Sequence, residues 1–199
     1  MIVTIFKDLF ETAAGFDREV NVIFDRIKTG KSKVLIEQIR KSDKPTRDRL
    51  KKKLPSICFS GTFSQRNLQG LKQHSGLICL DFDKFSSEEE LKEFKEYIIK
   101  DKYTYSCFIS PSGDGIKVIV KIPAEPENHL KYWEALKDYY NNDHFDLSTS
   151  DIPRVCFESY DEDIFINNNS ELWNNINKIE EEIKSDRKST RLNSSHIPL

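Results

Sequence analysis

The residues with the clearest chemical potential are two aspartates, Asp81 and Asp83, at the end of an apolar run that begins at Leu77. Residues two apart on a strand point to the same face, so we expect the two carboxylates to project together. Like charges held this close are costly unless a cation lies between them, and Mg²⁺ prefers carboxylate oxygens. The pattern therefore indicates a divalent-metal site. The alternative is a strand that ends in solvent, with Asp83 capping the next helix.

A second candidate site is the turn that joins the next two predicted strands. It contains Ser112, Gly113 and Gly115, and Lys117 follows on the second strand. Glycines allow backbone N–H groups to point at one anion, and a lysine adds a point charge beside them. This composition is typical of a phosphate-binding turn, but it also fits a plain hairpin whose glycines serve only the turn geometry.

A third segment, residues 143–161, is rich in carboxylates. Asp146 follows an aromatic residue, and Arg154 stands at the start of a predicted strand. Taken alone, this segment is best explained as an acidic loop in which Asp151 pairs with Arg154.

Hydrophobic periodicity predicts the elements that would position these residues. The predicted strands are 2–6, 56–63, 77–83, 103–110, 116–122, 155–159 and 164–166, and the predicted helices are 18–28, 32–39, 86–100, 126–140 and 171–184. A strongly basic segment, 47–54, lies between two prolines. Strands that alternate with helices, together with one hairpin, predict an α+β or mixed α/β sheet domain.

Composition limits the classes of function. A chain of 199 residues suits one domain, and its 31 basic and 33 acidic residues exclude a uniformly basic nucleic-acid binder, though not a local basic face. No apolar run approaches the roughly 18 residues of a membrane span, and the N-terminus lacks signal-peptide features, so we expect a cytoplasmic protein without a membrane partner. The four cysteines have no metal-site spacing and are expected to be reduced core residues.

The three segments, taken in order, resemble the archaeo-eukaryotic primase, or primase-polymerase, superfamily. More narrowly, residues 1–170 are similar to the VirE N-terminal-domain family. The stretches that carry this likeness are LP at 54–55, FSGTF at 59–63, SGL at 75–77, DFD at 81–83, SGDGIK at 112–117 and RVCFESYD at 154–161.

The resemblance implies a primase-polymerase-like (RRM-like) sheet with flanking helices. It implies that Mg²⁺ or Mn²⁺ is bound by catalytic carboxylates, namely Asp81, Asp83 and Asp146, with Asp151 as the alternative third acid. It also implies that a nucleoside triphosphate is bound by Ser112, Gly113, Gly115, Lys117 and Arg154. Lys117 departs from the family pattern, which usually has a histidine there; a lysine can hold phosphate as a charge but cannot shuttle protons near neutral pH.

The implied activity is nucleotidyl transfer on a single-stranded template during replication of a mobile element or plasmid. Candidate template contacts are Arg47, Arg49, Lys51, Lys52, Lys53 and Arg66, although such a charge run also fits a solvated helix face. One alternative is a non-catalytic nucleic-acid or nucleotide-binding module that serves a fused C-terminal helicase-like domain. A further alternative is metal-dependent phosphodiester cleavage.

We expect three regions along the chain. Residues 1–170 form the domain, and residues 171–187 form a terminal helix or linker that leads toward a missing downstream domain. The resemblance implies that this downstream partner is a C-terminal helicase-like domain. Residues 188–199 have no periodicity and resemble translated sequencing-adaptor read-through, so we expect a non-native, disordered tail.

Overall fold

The structure, a computed structural model, describes residues 1–176. Helices and strands follow one another along these residues in the order β1 (Ile2–Phe6), β2 (Phe16–Glu19), α1 (Val20–Thr29), α2 (Lys33–Lys41), α3 (Lys44–Lys51), β3 (Ser56–Cys58), β4 (Gly61–Phe63), β5 (Leu71–His74), β6 (Leu77–Asp83), α4 (Glu88–Ile98), β7 (Thr104–Ile109), β8 (Gly115–Lys121), α5 (His129–Tyr140), β9 (Cys156–Phe157) and β10 (Phe165–Ile166). The predicted α+β class is confirmed.

The strands form three antiparallel sheets. The first has the order β10-β7-β8-β6, the second β2-β1-β3-β9, and the third contains only β4 and β5. The predicted hairpin is confirmed as β7 and β8, and β8 also pairs with β6 along the whole length of both strands.

Strand β6 is buried on both faces, which sets the direction of its side chains. Ile78, Leu80 and Phe82 pack in a core with α4 and α5. Leu77 and Cys79, on the other face, pack toward α1 and the second sheet. Because side chains alternate along a strand, the two aspartates at its end continue the second face.

The apolar run at 56–63 differs from the prediction of one strand. It breaks after β3, which pairs with β1 and β9, and resumes as β4, which pairs with β5. A Cβ at Gly61 would lie 2.5 Å from the carbonyl oxygen of Gln73, so glycine allows the close approach of β5. No strand was predicted at 71–74, and pairing with β4 makes this segment a strand.

Two further elements are absent from the strands and helices predicted by periodicity. Residues 16–19, part of which was expected to begin a helix, form β2 and extend β1 as a hairpin. The basic segment contains α3, whose N-cap Asp43 accepts a hydrogen bond from the backbone N–H of Thr46 at 3.0 Å, with Pro45 in the first turn. A capping aspartate followed by proline favours this helix start.

The predicted helix 171–184 is wrong for its first six residues. The backbone N–H of Glu171 donates to Lys102 at 2.9 Å, and that of Trp173 donates to Lys121 at 2.8 Å, so the chain is bonded across the end of the first sheet. The rest of that predicted helix, and the predicted tail, lie outside the described residues. No helix within residues 1–176 has the length and apolar character needed to cross a bilayer.

Candidate metal centre

Three carboxylates meet at the end of β6. Asp81 and Asp83 come from β6, and Asp146 comes from the loop after α5; one oxygen of each lies within 4.8 Å of the others. The backbone N–H of Asp146 donates to the carbonyl of Asp81 at 2.8 Å, and that of Asp83 donates to His144 at 2.8 Å. The loop is therefore bonded to β6 as a short strand would be, which brings the third acid to the other two.

The side chain of Asp146 is held in place by its own loop. Its two carboxylate oxygens accept from the backbone N–H of Ser148 at 2.9 Å and from the Ser148 hydroxyl at 3.0 Å. Thr149 donates its hydroxyl to the carbonyl of Asp146 at 3.0 Å. These bonds restrict the rotamers of Asp146, which lowers the entropy cost of binding a cation there.

The charges of the three acids are unequally compensated. Lys117 Nζ donates to Asp81 Oδ2, and both side chains are largely buried, with 12% and 14% of their surfaces exposed. Burial lowers the pKa of Lys117. Burial and the Asp146 carboxylate raise the pKa of Asp83, although the positive charge of Lys51 acts in the opposite direction.

This donor set fits a hard divalent cation. All three ligands are carboxylates, which suit Mg²⁺ and Mn²⁺ better than softer metals. Asp81 Oδ1 is buried without a hydrogen-bond partner among the described residues, and such an acceptor is costly unless it binds something. Burial and the nearby Asp146 carboxylate raise the pKa of Asp83, and a bound cation would offset both effects.

Gly115 lies directly opposite Asp83 in the ladder between β6 and β8. A Cβ at Gly115 would lie 2.3 Å from Asp83 Oδ1 and 2.8 Å from the carbonyl oxygen of Phe82. Any side chain at this position would therefore displace the Asp83 carboxylate. The turn glycine serves the acidic cluster sterically, a role the sequence pattern did not suggest.

The turn itself is closed by internal hydrogen bonds. The N–H of Gly113 donates to Ser110 at 3.0 Å, and that of Ser110 donates to Gly115 at 2.8 Å. Gly113 adopts φ +85°, which is accessible to glycine at little cost. Ser112 is buried in the same turn. The N–H of Gly113 is thus used within the turn rather than free for an anion.

Two arginines from the N-terminal helices surround this turn. Arg40 Nη2 donates to the carbonyls of Ser110 at 3.3 Å and Tyr160 at 2.8 Å, and Arg47 Nη1 lies 3.2 Å from Asp114 Oδ2. The Nε atoms of both arginines and the Ser110 hydroxyl are buried without a hydrogen-bond partner within residues 1–176. Sequence reasoning missed Arg40, because α2 reaches the turn only through tertiary packing.

Arg154 shares a cavity with Asp81 and Lys117. These three residues line one small cavity of about 20 Å³ together with Asp151. Arg154 Nε pairs with Asp151 at 3.0 Å. Asp151 is therefore engaged by Arg154, whereas Asp146 is the acid that the structure brings to the pair on β6.

Comparison with known proteins identifies a family. The family described as BT4734-like, N-terminal domain, matches residues 49–165, more than half of the chain. The chain belongs to this family. The match includes the three acids and the glycine turn, but it begins after Arg40 and Arg47. The narrower VirE likeness is not established by it.

Other comparisons are more distant. No curated protein matches the chain. One solved structure, entitled "Crystal structure of primase RepB'", is similar over 97% of this chain and 62% of that chain, with 12% identity and a TM-score of 0.39. The BT4734-like chain thus spans less than two thirds of that protein, and a likeness this weak does not bear on function.

The basic residues expected to contact a template have different surroundings in this BT4734-like domain. Arg47 faces the turn, and Lys51 is close enough to Asp83 to affect its pKa. Arg66 is held internally, because its Nη2 donates to the carbonyl of Leu9 at 2.6 Å. Three of the set are exposed on the surface: Arg49, Lys52 and Lys53.

One histidine, His144, supports the acidic cluster. Its Nδ1 lies 3.1 Å from the carbonyl oxygen of Asp83 and its Nε2 lies 3.2 Å from Glu90 Oε1. The ring stacks on Phe85, with centroids 4.1 Å apart. The sequence signal for this supporting role is the position of His144, two residues before Asp146.

The other two described histidines form a buried pair. His74 Nε2 and His129 Nδ1 are 3.0 Å apart, and the N–H of Gly76 donates to His74 Nδ1 at 3.1 Å. His74 therefore carries its proton on Nε2 and donates it to His129. Burial lowers the pKa of His74, and burial with the neighbouring His74 lowers the pKa of His129 to about 3.

Proposed function

We propose that this BT4734-like domain is a metal-dependent nucleotidyltransferase of the primase-polymerase kind, which adds nucleotides to a strand on a single-stranded template. The observation that carries the proposal is the meeting of Asp81, Asp83 and Asp146 within 4.8 Å, beside a glycine turn with basic residues around it. The order of the sequence motifs, which resembles that of primases and of the VirE N-terminal-domain family, supports the same conclusion.

The three carboxylates would hold Mg²⁺ or Mn²⁺. A divalent ion bound there supplies electrostatic stabilisation of the transferring phosphoryl group and activation of the attacking 3′-hydroxyl. Lys117 would keep Asp81 oriented, because its ammonium group already donates to one carboxylate oxygen. The bonds from Ser148 would keep Asp146 oriented.

The triphosphate is proposed to lie against the turn at 110–115. The sequence suggested Ser112, Gly113, Gly115, Lys117 and Arg154 for this role. The partly buried guanidinium groups of Arg40 and Arg47 add two cations next to the turn, each with a buried, unpartnered Nε among the described residues. Guanidinium groups suit the geometry of phosphate oxygens, so these two arginines are further candidates for the triphosphate.

A second candidate is the non-catalytic binding module that serves a helicase-like C-terminal domain. The observation in its favour is the ion pair between Lys117 and Asp81, since a lysine that occupies a ligand oxygen competes with a metal for it. In either case the resemblance suggests a role in replication of a mobile element or plasmid.

The test is incorporation of labelled nucleotide on a primed and an unprimed single-stranded template, with Mg²⁺ or Mn²⁺, by the full chain. The site variant is Asp81→Asn/Asp83→Asn, and the matched control removes two exposed carboxylates of α4, in Glu89→Gln/Glu93→Gln. We expect incorporation by the wild type and the control, and its loss in the site variant.

Two outcomes would contradict the proposal. Absence of incorporation by wild-type protein that still binds template and Mn²⁺ would leave the non-catalytic module. Cleavage of the labelled strand without any requirement for a nucleoside triphosphate would instead assign the carboxylates to phosphodiester hydrolysis.

A further inference from the structure

A basic groove of about 390 Å³ shares no lining residue with the acidic cluster and is formed by the chain just after β1, the start of α2 and the residues after α3. Three lysines from these separate segments line it, namely Lys7, Lys31 and Lys53. The rest of its lining is Ser32, Val34, Leu35, Gln38 and Pro55. Among these described lining residues there is no carboxylate, so the groove has a net positive charge.

The three lysines are not engaged elsewhere in the fold. All three are exposed, and the ion pairs described within residues 1–176 involve none of them. Arg47 and Arg66, by contrast, are held by Asp114 and the Leu9 carbonyl. Cations brought together from three segments and left without acidic partners repel one another, and an anion bound in the groove relieves that repulsion.

We infer that this groove binds the backbone of single-stranded nucleic acid. Apolar groups lie among its lysines: Val34 is 74% exposed, and Leu35 and Pro55 line the same groove. A single strand presents both phosphates and unstacked base faces, so it matches a surface that combines cations with apolar groups. A duplex stacks its bases inside and offers the groove mainly phosphates.

The loop after β1 supplies an exposed aromatic ring next to this region. Phe10 is 72% exposed, yet its backbone is fixed, because its N–H donates to Asp8 Oδ1 at 2.8 Å. The N–H of Leu9 donates to the carbonyl of Lys52 at 3.1 Å, which holds the loop against the end of α3, one residue before Lys53. An exposed phenylalanine in a loop that is bonded to the end of α3 suits stacking against a base.

Helix α3 connects the groove to the acidic cluster. Its last turn carries Lys51, whose charge affects Asp83, and Lys53 follows two residues later in the groove. A strand in the groove would thus lead toward the proposed site of nucleotide addition. This part of the inference rests on the proposed function, whereas binding in the groove does not.

The test measures fluorescence anisotropy of a labelled oligothymidine of about 20 nucleotides, long enough to exceed the site size of a small single-strand-binding surface, over a range of salt concentrations. The groove variant replaces its three lysines by alanine, at Lys7, Lys31 and Lys53. The matched control replaces three exposed lysines of α4 and α5 and their flanks, at Lys92, Lys100 and Lys131. Because every position is exposed, we expect all variants to fold, which thermal unfolding verifies.

We expect the groove variant to bind at least tenfold more weakly near 0.1 M salt. For this variant the slope of log affinity against log salt concentration should be shallower by about 2, since three phosphate contacts are lost and each contributes about 0.7 to the slope. Phe10→Ala should weaken binding about fivefold with an unchanged salt slope, because stacking releases no counterions. Equal loss of affinity in the groove variant and the control would overturn the assignment to this groove.

Two further measurements separate this inference from the proposed function. Asp81→Asn/Asp83→Asn should bind the oligothymidine at least as tightly as the wild type, because it removes two negative charges that repel phosphates. A weakened affinity would contradict a groove distinct from the acidic cluster. A labelled duplex of the same length should bind more weakly than the single strand; equal affinity would overturn the single-strand assignment. Intact groove binding without nucleotide incorporation would reject the catalytic proposal alone.

Discussion

Lys117 and Asp81 face each other in the ladder between β8 and β6, and the lysine ammonium group donates to Asp81 Oδ2. Two positions along, the same ladder places Gly115 opposite Asp83. One acid therefore has a buried cation beside it, and the carboxylate of the next fills the space where a side chain at Gly115 would stand. In this ladder Asp81 has a cation opposite it and Asp83 has none.

Replacing this cation should destabilise the protein without metal. Lys117→Met removes the partner of a largely buried carboxylate, and loss of one member of such a pair costs about 3 kcal/mol of unfolding free energy. A divalent ion would then be the remaining counter-charge for Asp81. We therefore expect Mn²⁺ to raise the melting temperature of Lys117→Met more than that of the wild type, measured by thermal unfolding with and without Mn²⁺.

The double variant Asp81→Asn/Lys117→Met is the control for that measurement. It removes both charges, so it should be more stable than Lys117→Met alone and should gain less from Mn²⁺. A single variant that is as destabilised with Mn²⁺ as without it would show that the lysine, and not a metal, is the only cation Asp81 can accept.

The ionised Asp83 carboxylate should lower the stability of the metal-free protein. Its folded pKa is raised above the ordinary value, so ionising it costs more in the fold than in the unfolded chain, and stability falls as pH rises through the window between the two values. Asp83→Asn should therefore raise metal-free unfolding free energy at pH 7 by about 0.5 kcal/mol, allowing for solvent screening. Denaturant unfolding at pH 7 and pH 3 measures this; a gain of equal size at pH 3 would contradict it.

The strand β6 could be predicted because its evidence is local. An apolar run ending in two aspartates determines a buried strand and the common direction of Asp81 and Asp83, and the glycines of the following hairpin mark its turn. Helix α4 could also be predicted, because a serine cap and an acidic first turn lie at 86–90. In these segments the hydrophobic period and the capping residues agree with the final fold.

The remaining parts depend on contacts between distant segments. Strand β5 is polar, and it forms because the glycine at position 61 leaves room for the β5 backbone beside β4. Arg40 reaches the turn because α2 packs beside it. Asp146, rather than Asp151, joins the acidic cluster because its own backbone N–H donates to β6. Sequence periodicity does not encode such pairings. Asp146 could therefore be proposed as the third acid only from the family resemblance.

Gly115→Ala should disable the acidic cluster. The added Cβ would lie 2.3 Å from Asp83 Oδ1, so the carboxylate must move, and Mn²⁺ affinity should fall by at least tenfold in a spectroscopic titration. Gly113→Ala is the matched control. Its Cβ has no neighbour closer than 3.6 Å, but φ +85° is strained for alanine, so it should cost about 1 kcal/mol of stability and keep Mn²⁺ affinity. The reverse ranking of the two affinities would contradict the steric role of Gly115.

The buried pair of His74 and His129 should make the fold acid-sensitive. Both pKa values are lowered, that of His129 to about 3, so below an ordinary pKa near 6.5 the unfolded chain binds protons that the fold excludes. Stability is thus lost as pH falls from about 6.5 toward 3, and His129 alone should account for about 2 kcal/mol between pH 7 and pH 5. His129→Asn keeps an acceptor for His74 Nε2 but cannot titrate, so its unfolding free energy should change less over that range. A wild-type and variant pH profile that coincide would assign the acid sensitivity to other groups.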